Sequence, residues 1–188
     1  MYETRFHGRG GQGAVTAANL LATAAFKEGK FIQSFPIFGT ERRGAPVAAF
    51  VRVDSKRIRI RSQIYKPDAV VVLDPGLTEV INITEGLKDG GLVIINTKKM
   101  PTEFGFKNAK VVTVDATGIA SRRGLGSKTA PIVNTAILGA YLKATEQVDA
   151  EKIGLSSLLE AIKEGVPSNP KGNVEAAKEA HEKTKIGG

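Results

Sequence analysis

The sequence contains no cysteine and only two histidines. Without cysteine the chain has no disulfide, no thiolate nucleophile and no ligands for an iron–sulfur cluster, which usually needs four thiolates. His7 and His181 lie far apart and outside any H-x-x-x-H or H-E-x-x-H pattern, so we expect no zinc site. We interpret His7 as a strand-end residue and His181 as a solvated helix residue.

Long apolar runs are also missing, and the first residues show no charged-then-apolar leader. We therefore expect a cytoplasmic protein with no membrane partner. The chain has 188 residues, of which 41% are hydrophobic. This length and composition predict a single domain over 1–188 with one substantial core.

Aromatic residues make up 6% of the chain, tryptophan is absent, and the net charge is +8. A basic chain favours anionic partners, and nucleic acid is the general expectation. Here the basic residues are scattered in pairs with few aromatic residues between them, so the sequence offers no base-stacking platform. We expect no nucleic-acid partner, and part of the excess charge is typical of a lysine-rich surface.

Glycine is concentrated near the N-terminus, where a short apolar stretch leads into a turn and then a helix predicted over 13–27. Four glycines in six positions allow a tight turn and close backbone approach. They are Gly8, Gly10, Gly11 and Gly13. The free N–H groups and partial positive charge at the start of the helix suit a phosphate, a carboxylate or a protein carbonyl.

This glycine pattern satisfies G-x-G-x-x-G, which is typical of dinucleotide-binding corners. Such sites also need an acidic residue at the end of the second strand, and the second apolar run, 31–36, ends without one. The sequence therefore disfavours a nicotinamide or flavin site. Two interpretations stay open. Either the loop contacts a ligand or another subunit, or the glycines only let the helix pack tightly on the sheet.

Three later apolar runs, 68–75, 92–96 and 111–115, have the form of parallel strands buried on both faces. They end on Asp74, Asn96 and Asp115, which suit turns and helix caps. The segment 76–87 is predicted to be largely helical. The stretches 46–53 and 58–61 predict a β-hairpin whose second arm turns arginines outward, and we favour protection of a sheet edge over ligand binding as their role.

The last third is predicted to be helical over 131–143, 155–164 and 173–184. Asn134 lies in an otherwise apolar helix, so its amide needs a partner, either as a cap or tether or in a neighbouring subunit. Together the patterns predict an α/β fold with a doubly wound, mostly parallel Rossmann-like sheet, an inserted antiparallel β-hairpin and a helical C-terminal third.

Four ordered motifs span most of the chain: GRGGQG at 8–13, FGTERRGAP at 38–46, KPD at 66–68 and NTAILGA at 134–140. With them the sequence resembles the gamma subunits of pyruvate:ferredoxin oxidoreductases and related 2-oxoacid:ferredoxin oxidoreductases. The resemblance runs from Arg5 to about Ala177. It implies a pyruvate synthase with alpha, beta and delta subunits, on which thiamine diphosphate and the iron–sulfur clusters lie, and with ferredoxin as electron acceptor.

The resemblance also implies that this domain contributes to coenzyme A binding and to assembly, while the isolated chain has no catalytic residue and is inactive. No cofactor is assigned to this chain alone. The candidate contact residues are Gly8, Arg9, Gly10, Gly11, Gln12, Gly13, Glu41, Arg42, Arg43 and Asn134. The alternatives are a branched-chain 2-oxoacid enzyme and a scaffold without a ligand. A stand-alone nucleotide-binding enzyme is disfavoured because the acidic partner is missing.

Overall fold

The computed structural model describes residues 1–37, 44–127, 129–148 and 150–187. Seven strands form one sheet in the order β2-β3-β1-β4-β5-β6-β7. The strands are β1 (Tyr2–Arg9), β2 (Phe31–Ile37), β3 (Pro46–Asp54), β4 (Ala69–Val72), β5 (Gly91–Asn96), β6 (Ala109–Val114) and β7 (Lys185–Ile186). The helices are α1 (Ala14–Lys27), α2 (Leu77–Val80), α3 (Ala116–Arg122), α4 (Asn134–Thr145), α5 (Leu155–Gly165) and α6 (Pro170–Lys183). The predicted α/β class is confirmed.

The centre of the sheet is parallel, because β1 pairs with β4, β4 with β5, and β5 with β6 in the same direction. Every residue of β4 and β5 is buried. This agrees with the prediction that continuous apolar runs form strands covered on both faces. On β4, alternate side chains enter different cores: Val71 packs in the larger one, and Val70 and Val72 pack in the smaller one.

The two cores lie on opposite faces of the sheet, since successive residues of a strand point to opposite sides. The larger core is covered by α1, α4 and the other long helices. The smaller core holds Leu77 and Ile83 from the connection between β4 and β5. The chain therefore leaves β1 across one face and β4 across the other, as in a doubly wound fold.

The hairpin predicted from 46–53 and 58–61 does not form, although its first arm is the strand β3, which belongs to a different antiparallel hairpin. β2 and β3 form that second hairpin, with Phe31 opposite Asp54 and Ile37 opposite Ala48. The prediction of a strand over 58–61 is wrong, because β3 already has β1 and β2 as hydrogen-bonded neighbours and offers no free edge. Ile60, expected on the buried side of that arm, is 44% exposed.

The helix predicted over 76–87 is reduced to the four residues of α2. The helix ends at Ile81, whose backbone is extended (φ −137°, ψ 152°), and Arg5 reaches from β1 to donate to the carbonyl oxygens of Ile83 (2.9 Å) and Glu85 (2.7 Å). A helix would need those carbonyls for its own hydrogen bonds. The segment after α2 therefore forms turns around the Arg5 guanidinium.

The three predicted C-terminal helices are confirmed as α4, α5 and α6, with ends shifted by at most three residues. The helix α6 begins at Pro170 rather than at Asn173, because the side chain of Asn169 caps it by accepting from Gly172 N. α3 and the short strand β7 were not predicted. Asp115, expected to cap a helix, does so for α3 by accepting from Gly118 N at 2.8 Å.

Candidate functional site

The glycine loop connects β1 to α1 at the carboxyl edge of the parallel sheet. Gly11 (φ 96°) and Gly13 (φ 81°) have left-handed backbone conformations, which favour glycine. Gly10 N donates to Ala45 O at 2.9 Å, and Gly44 N donates to Gly10 O at 3.3 Å. These two bonds fasten the loop to the chain entering β3.

Arg9, Gln12 and Asp74 tie the glycine loop to the end of β4. Arg9 Nε donates to Asp74 Oδ2 at 2.9 Å, and Gln12 Nε2 donates to the same oxygen at 3.1 Å. Gln12 Oε1 in turn accepts from Arg9 N at 2.8 Å, which closes the loop on itself. The other Asp74 oxygen accepts from Gly76 N at 2.9 Å. The carboxylate of Asp74 is therefore fully engaged by donors.

A crevice of about 340 Å³ opens beside this network. Its walls come from the carboxyl ends of β1, β4 and β5 and from the segment that leads into α4. The lining residues are Gly10, Gly11, Gln12, Leu73, Asp74, Pro75, Asn96, Thr117, Thr129, Ala130, Pro131 and Val133. β1 and β4 are the neighbours at which the strand order reverses. Open α/β sheets bind ligands at such a switch point.

Asn96 fixes the far wall of the crevice. Its Nδ2 donates to Leu73 O at 2.8 Å and to Thr117 Oγ1 at 2.9 Å, while its Oδ1 accepts from Thr117 N at 3.1 Å. Asp74 and Asn96 were predicted only as turn or capping residues. The sequence signal that could have placed them here is that both follow parallel strands, whose carboxyl ends share one edge.

Asn134 lies at the start of α4, directly against Gly13. A Cβ atom on Gly13 would come within 2.7 Å of Asn134 Nδ2. Asn134 is 6% exposed, and its Oδ1 has no hydrogen-bond partner among the residues that the structure describes. The expected partner of this amide oxygen is therefore not found within those residues. The helix α1 begins beside it with no side-chain cap at Gly13.

The structure thus brings Gly8, Arg9, Gly10, Gly11, Gln12, Gly13 and Asn134 together, as one loop and the residue facing it. Glu41, Arg42 and Arg43 lie outside the described residues, so their place at this edge stays a prediction.

The position of β3 gives a further physical argument against a dinucleotide site. β3 separates β1 from β2, so the end of β2 does not adjoin the glycine loop.

His7 lies within β1, one residue before the glycine loop, and is 8% exposed. Burial and the nearby positive charge of Arg5 lower its pKa to about 4, so the imidazole is neutral at neutral pH. His181 lies on α6, as predicted for a helix residue, but its ring is only 19% exposed and bonds Glu146 Oε1 at 2.9 Å.

A buried ion pair at the amino end of β1, the end opposite the glycine loop, was not predicted from the sequence. Arg52 is 1% exposed and donates through Nε to Glu3 Oε1 at 2.7 Å. Its other nitrogens donate to Gln33 Oε1 (3.1 Å) and Gln63 O (3.2 Å). The bonds cross three strands, because Glu3, Arg52 and Gln33 are opposite each other on β1, β3 and β2.

None of the helices described is long and apolar enough to cross a membrane. Within the same described ranges, no group of three or more His, Cys, Asp or Glu side chains is placed to hold a metal ion.

Comparison with known proteins assigns the chain to a family. The family model for pyruvate ferredoxin/flavodoxin oxidoreductase matches residues 3–183. The chain therefore belongs to the pyruvate ferredoxin/flavodoxin oxidoreductase family.

Two curated relatives match over nearly their whole length. The chain is 57% identical over 192 residues to the pyruvate/ketoisovalerate oxidoreductases common subunit gamma of Thermococcus kodakarensis, covering 99% of this chain and 98% of that protein. It is 51% identical over 189 residues to pyruvate synthase subunit PorC of Methanothermobacter marburgensis, covering 100% of both. The crystal structure of pyruvate oxidoreductase subunit PORC from Thermotoga maritima has the same fold. Its TM-score is 0.79 at 33% identity, covering 100% of this chain and 98% of that one.

Proposed function

We propose that the chain is the gamma subunit of a pyruvate:ferredoxin oxidoreductase, or pyruvate synthase. The complete enzyme oxidatively decarboxylates pyruvate with coenzyme A to acetyl-coenzyme A and carbon dioxide, and it reduces ferredoxin. Its other subunits would be alpha, beta and delta chains that hold thiamine diphosphate and the iron–sulfur clusters. The observation that carries this proposal is the match at 51% identity, over the whole of both chains, to a pyruvate synthase subunit.

The residues of the chain support a role inside a complex. A 2-oxoacid oxidation needs a carbanion-stabilising cofactor and one-electron carriers. The chain has no cysteine with which to ligate an iron–sulfur cluster. Its own contribution must then be to bind and orient reactants or partner subunits.

The crevice beside the glycine loop is the proposed contact for coenzyme A. The left-handed Gly11 has no atom within 4 Å of the position where a Cβ would lie, so a ligand could approach the backbone there. The start of α1 aims a partial positive charge at the same loop. Asp74 does not oppose a phosphate strongly, since Arg9, Gln12 and Gly76 N already bind its oxygens. Coenzyme A supplies the thiol that accepts the acyl group, and this chain's residues would hold its phosphates.

The coenzyme A contact can be tested with Gly11→Val in the complete enzyme. A branched side chain there would enter the crevice, so we expect the KM for coenzyme A to rise roughly tenfold or more with the KM for pyruvate little changed. Gly29→Val is the matched control, because Gly29 also has a left-handed φ of 74° and open space around its Cβ position. Equal effects of both variants on the KM for coenzyme A would remove the crevice as its site.

A branched-chain 2-oxoacid enzyme is the second candidate. It is favoured by the name of the Thermococcus kodakarensis relative, which is a common subunit of pyruvate and ketoisovalerate oxidoreductases. The experiment that tests both is purification of the chain with its native partners, followed by mass spectrometry of the bound chains and assay with pyruvate and with 3-methyl-2-oxobutanoate. Pyruvate as the preferred substrate supports the first proposal, and preference for the branched substrate supports the second. Purification without any oxidoreductase subunit would overturn both.

A further inference from the structure

A strongly basic segment without helix or strand follows β3. Between 55 and 67 the chain carries five cationic side chains and no acidic one. All five residues are exposed: Lys56, Arg57, Arg59, Arg61 and Lys66. We call the segment 55–67 the basic strip. The sequence explained its arginines as protection for an edge strand, and the structure removes that explanation because the segment is not a strand.

The basic strip is fixed in place rather than loosely attached. Gln33 Nε2 on β2 donates to Ile60 O at 2.8 Å, and the buried Arg52 donates to Gln63 O at 3.2 Å. Ile64 is 2% exposed and holds the end of the strip in the protein interior. The exposed cations are therefore presented from a backbone that is bound to the sheet.

Several cations elsewhere on the surface have acidic partners. Lys27 bonds Glu160 and Glu164, Lys30 bonds Glu151, and Glu179 is held by three cations. By contrast, none of the five cations of the basic strip forms an ion pair with any residue the structure describes. Single unpaired lysines occur elsewhere, but here five exposed cations lie within eleven residues that include no acidic side chain.

Exposed apolar side chains lie in and next to the basic strip. Tyr65 is 64% exposed and Ile60 is 44% exposed within it. Phe31 (46%) and Ile37 (39%) lie at the two ends of β2, the outermost strand of the sheet, which Gln33 links to the strip. Arginine, tyrosine and other aromatic residues are enriched in protein interfaces, where arginine pairs bidentately with carboxylates. Nucleic acid would require aromatic residues interleaved with the cations, and the strip has only Tyr65.

We propose that the basic strip and the adjoining edge strand β2 are a docking surface for an acidic face of another subunit of the same enzyme. This inference rests on the proposed function, since it needs such a subunit. Charge complementarity selects the partner: a second copy of this chain carries the same net charge of +8 and would be repelled. The arginines then steer the encounter, while Tyr65 and Ile60 are covered in the assembled enzyme.

The test measures binding of the chain to a purified alpha–beta–delta assembly at several NaCl concentrations. The strip variant is a triple variant that combines Arg57→Gln, Arg59→Gln and Arg61→Gln. It lowers the net charge of the chain by three at exposed positions. The matched control Lys107→Gln, Lys163→Gln, Lys171→Gln makes the same change at exposed lysines elsewhere. We expect the strip variant to bind roughly tenfold more weakly or worse, with a shallower dependence on salt, and the control to bind like the wild type.

Three outcomes would overturn the proposal. Equal binding by the strip variant and the control would remove the docking surface while leaving the proposed function intact. Failure of the wild type to bind the assembly at any salt concentration would overturn the proposed function, and the docking surface with it. Loss of duplex RNA or anionic-vesicle binding in the strip variant, with subunit binding unchanged, would assign the strip to one of those partners instead. A second variant, Tyr65→Ala, tests the apolar part and should also weaken subunit binding.

Discussion

Asn134 Nδ2 occupies the space into which a side chain at Gly13 would project, so the first residue of α4 packs against the residue that precedes α1. A Cβ on Gly13 would come within 2.7 Å of that nitrogen. The two helices are far apart in sequence, yet this contact fixes the glycine loop relative to the segment 129–133 across the crevice. The shape of the crevice therefore depends on a glycine at position 13.

Gly13→Ala should destabilise the chain more than the same change at Gly29. Both glycines have left-handed φ values, but only Gly13 has neighbouring atoms within 4 Å of the Cβ position. We expect Gly29→Ala to cost about 1 kcal/mol from backbone strain alone. Gly13→Ala should cost a further ~1–3 kcal/mol because Asn134 must move. Urea unfolding of both variants measures the difference, and equal losses would contradict the packing described here.

Removing Glu3 should leave the buried guanidinium of Arg52 without its charge partner. We expect Glu3→Ala to lower the free energy of unfolding by ~3–5 kcal/mol, since an unpaired buried charge is costly. The comparison is Lys88→Ala, which breaks the Lys88–Asp68 pair at a lysine whose side chain is 43% exposed. That change should cost less than about 1 kcal/mol. Similar losses in the two variants would show that Arg52 does not depend on Glu3.

The buried imidazole of His7 should make stability depend on pH. Its folded pKa of about 4 is below the usual value of 6.5, so the unfolded chain takes up the proton first as the pH falls. This contribution to stability is fully present above pH 6.5 and is lost as the pH falls towards 4, by about 3 kcal/mol in total.

His7→Gln removes that proton uptake. The variant should therefore lose about 3 kcal/mol less than the wild type between pH 7 and pH 4 in urea unfolding. Parallel stability curves for the two proteins would mean that His7 is not held neutral by burial.

Arg42 and Arg43 are expected to contact a phosphate of coenzyme A. In the complete enzyme, Arg42→Ala or Arg43→Ala should raise the KM for coenzyme A roughly ten- to a hundredfold, because charge-assisted bonds are lost. The KM for pyruvate should change little, and Lys163→Ala should behave like the wild type. If the 3′-phosphate is the contact, dephosphorylated coenzyme A should discriminate less between the variants and the wild type. A complex that dissociates at lower salt, with unchanged coenzyme A kinetics, would instead place these arginines at a subunit interface.

The parts of the fold that could be predicted are those governed by local pattern. The buried parallel strands follow from continuous apolar runs, and the glycine corner follows from the need for left-handed backbone at Gly11 and Gly13. The hairpin arms could not be predicted, because strand pairing depends on which edges are already occupied. β3 has hydrogen-bonded strands on both sides, so the segment 58–61 cannot pair with it as a further strand.

The glycine loop of the candidate site was predicted from the sequence, but the hydrogen bonds that tie it to the end of β4 were not. Arg9 and Asp74 are far apart in sequence, and only the parallel pairing of β1 with β4 brings them within 2.9 Å. The burial of Arg52 was not predicted, because its partners Glu3 and Gln33 come from the flanking strands. Long-range pairing of this kind leaves no local signal in the sequence.

The central claim is that the chain works only as one subunit of a 2-oxoacid oxidoreductase. The most direct measurement is reduction of a viologen dye by pyruvate and coenzyme A, with the purified chain alone, with alpha, beta and delta subunits alone, and with all four combined. We predict no reduction by the isolated chain, and coenzyme A-dependent reduction that is fully restored only when the chain joins the other three. Reduction by the isolated chain, or full activity of the other subunits without it, would contradict this account.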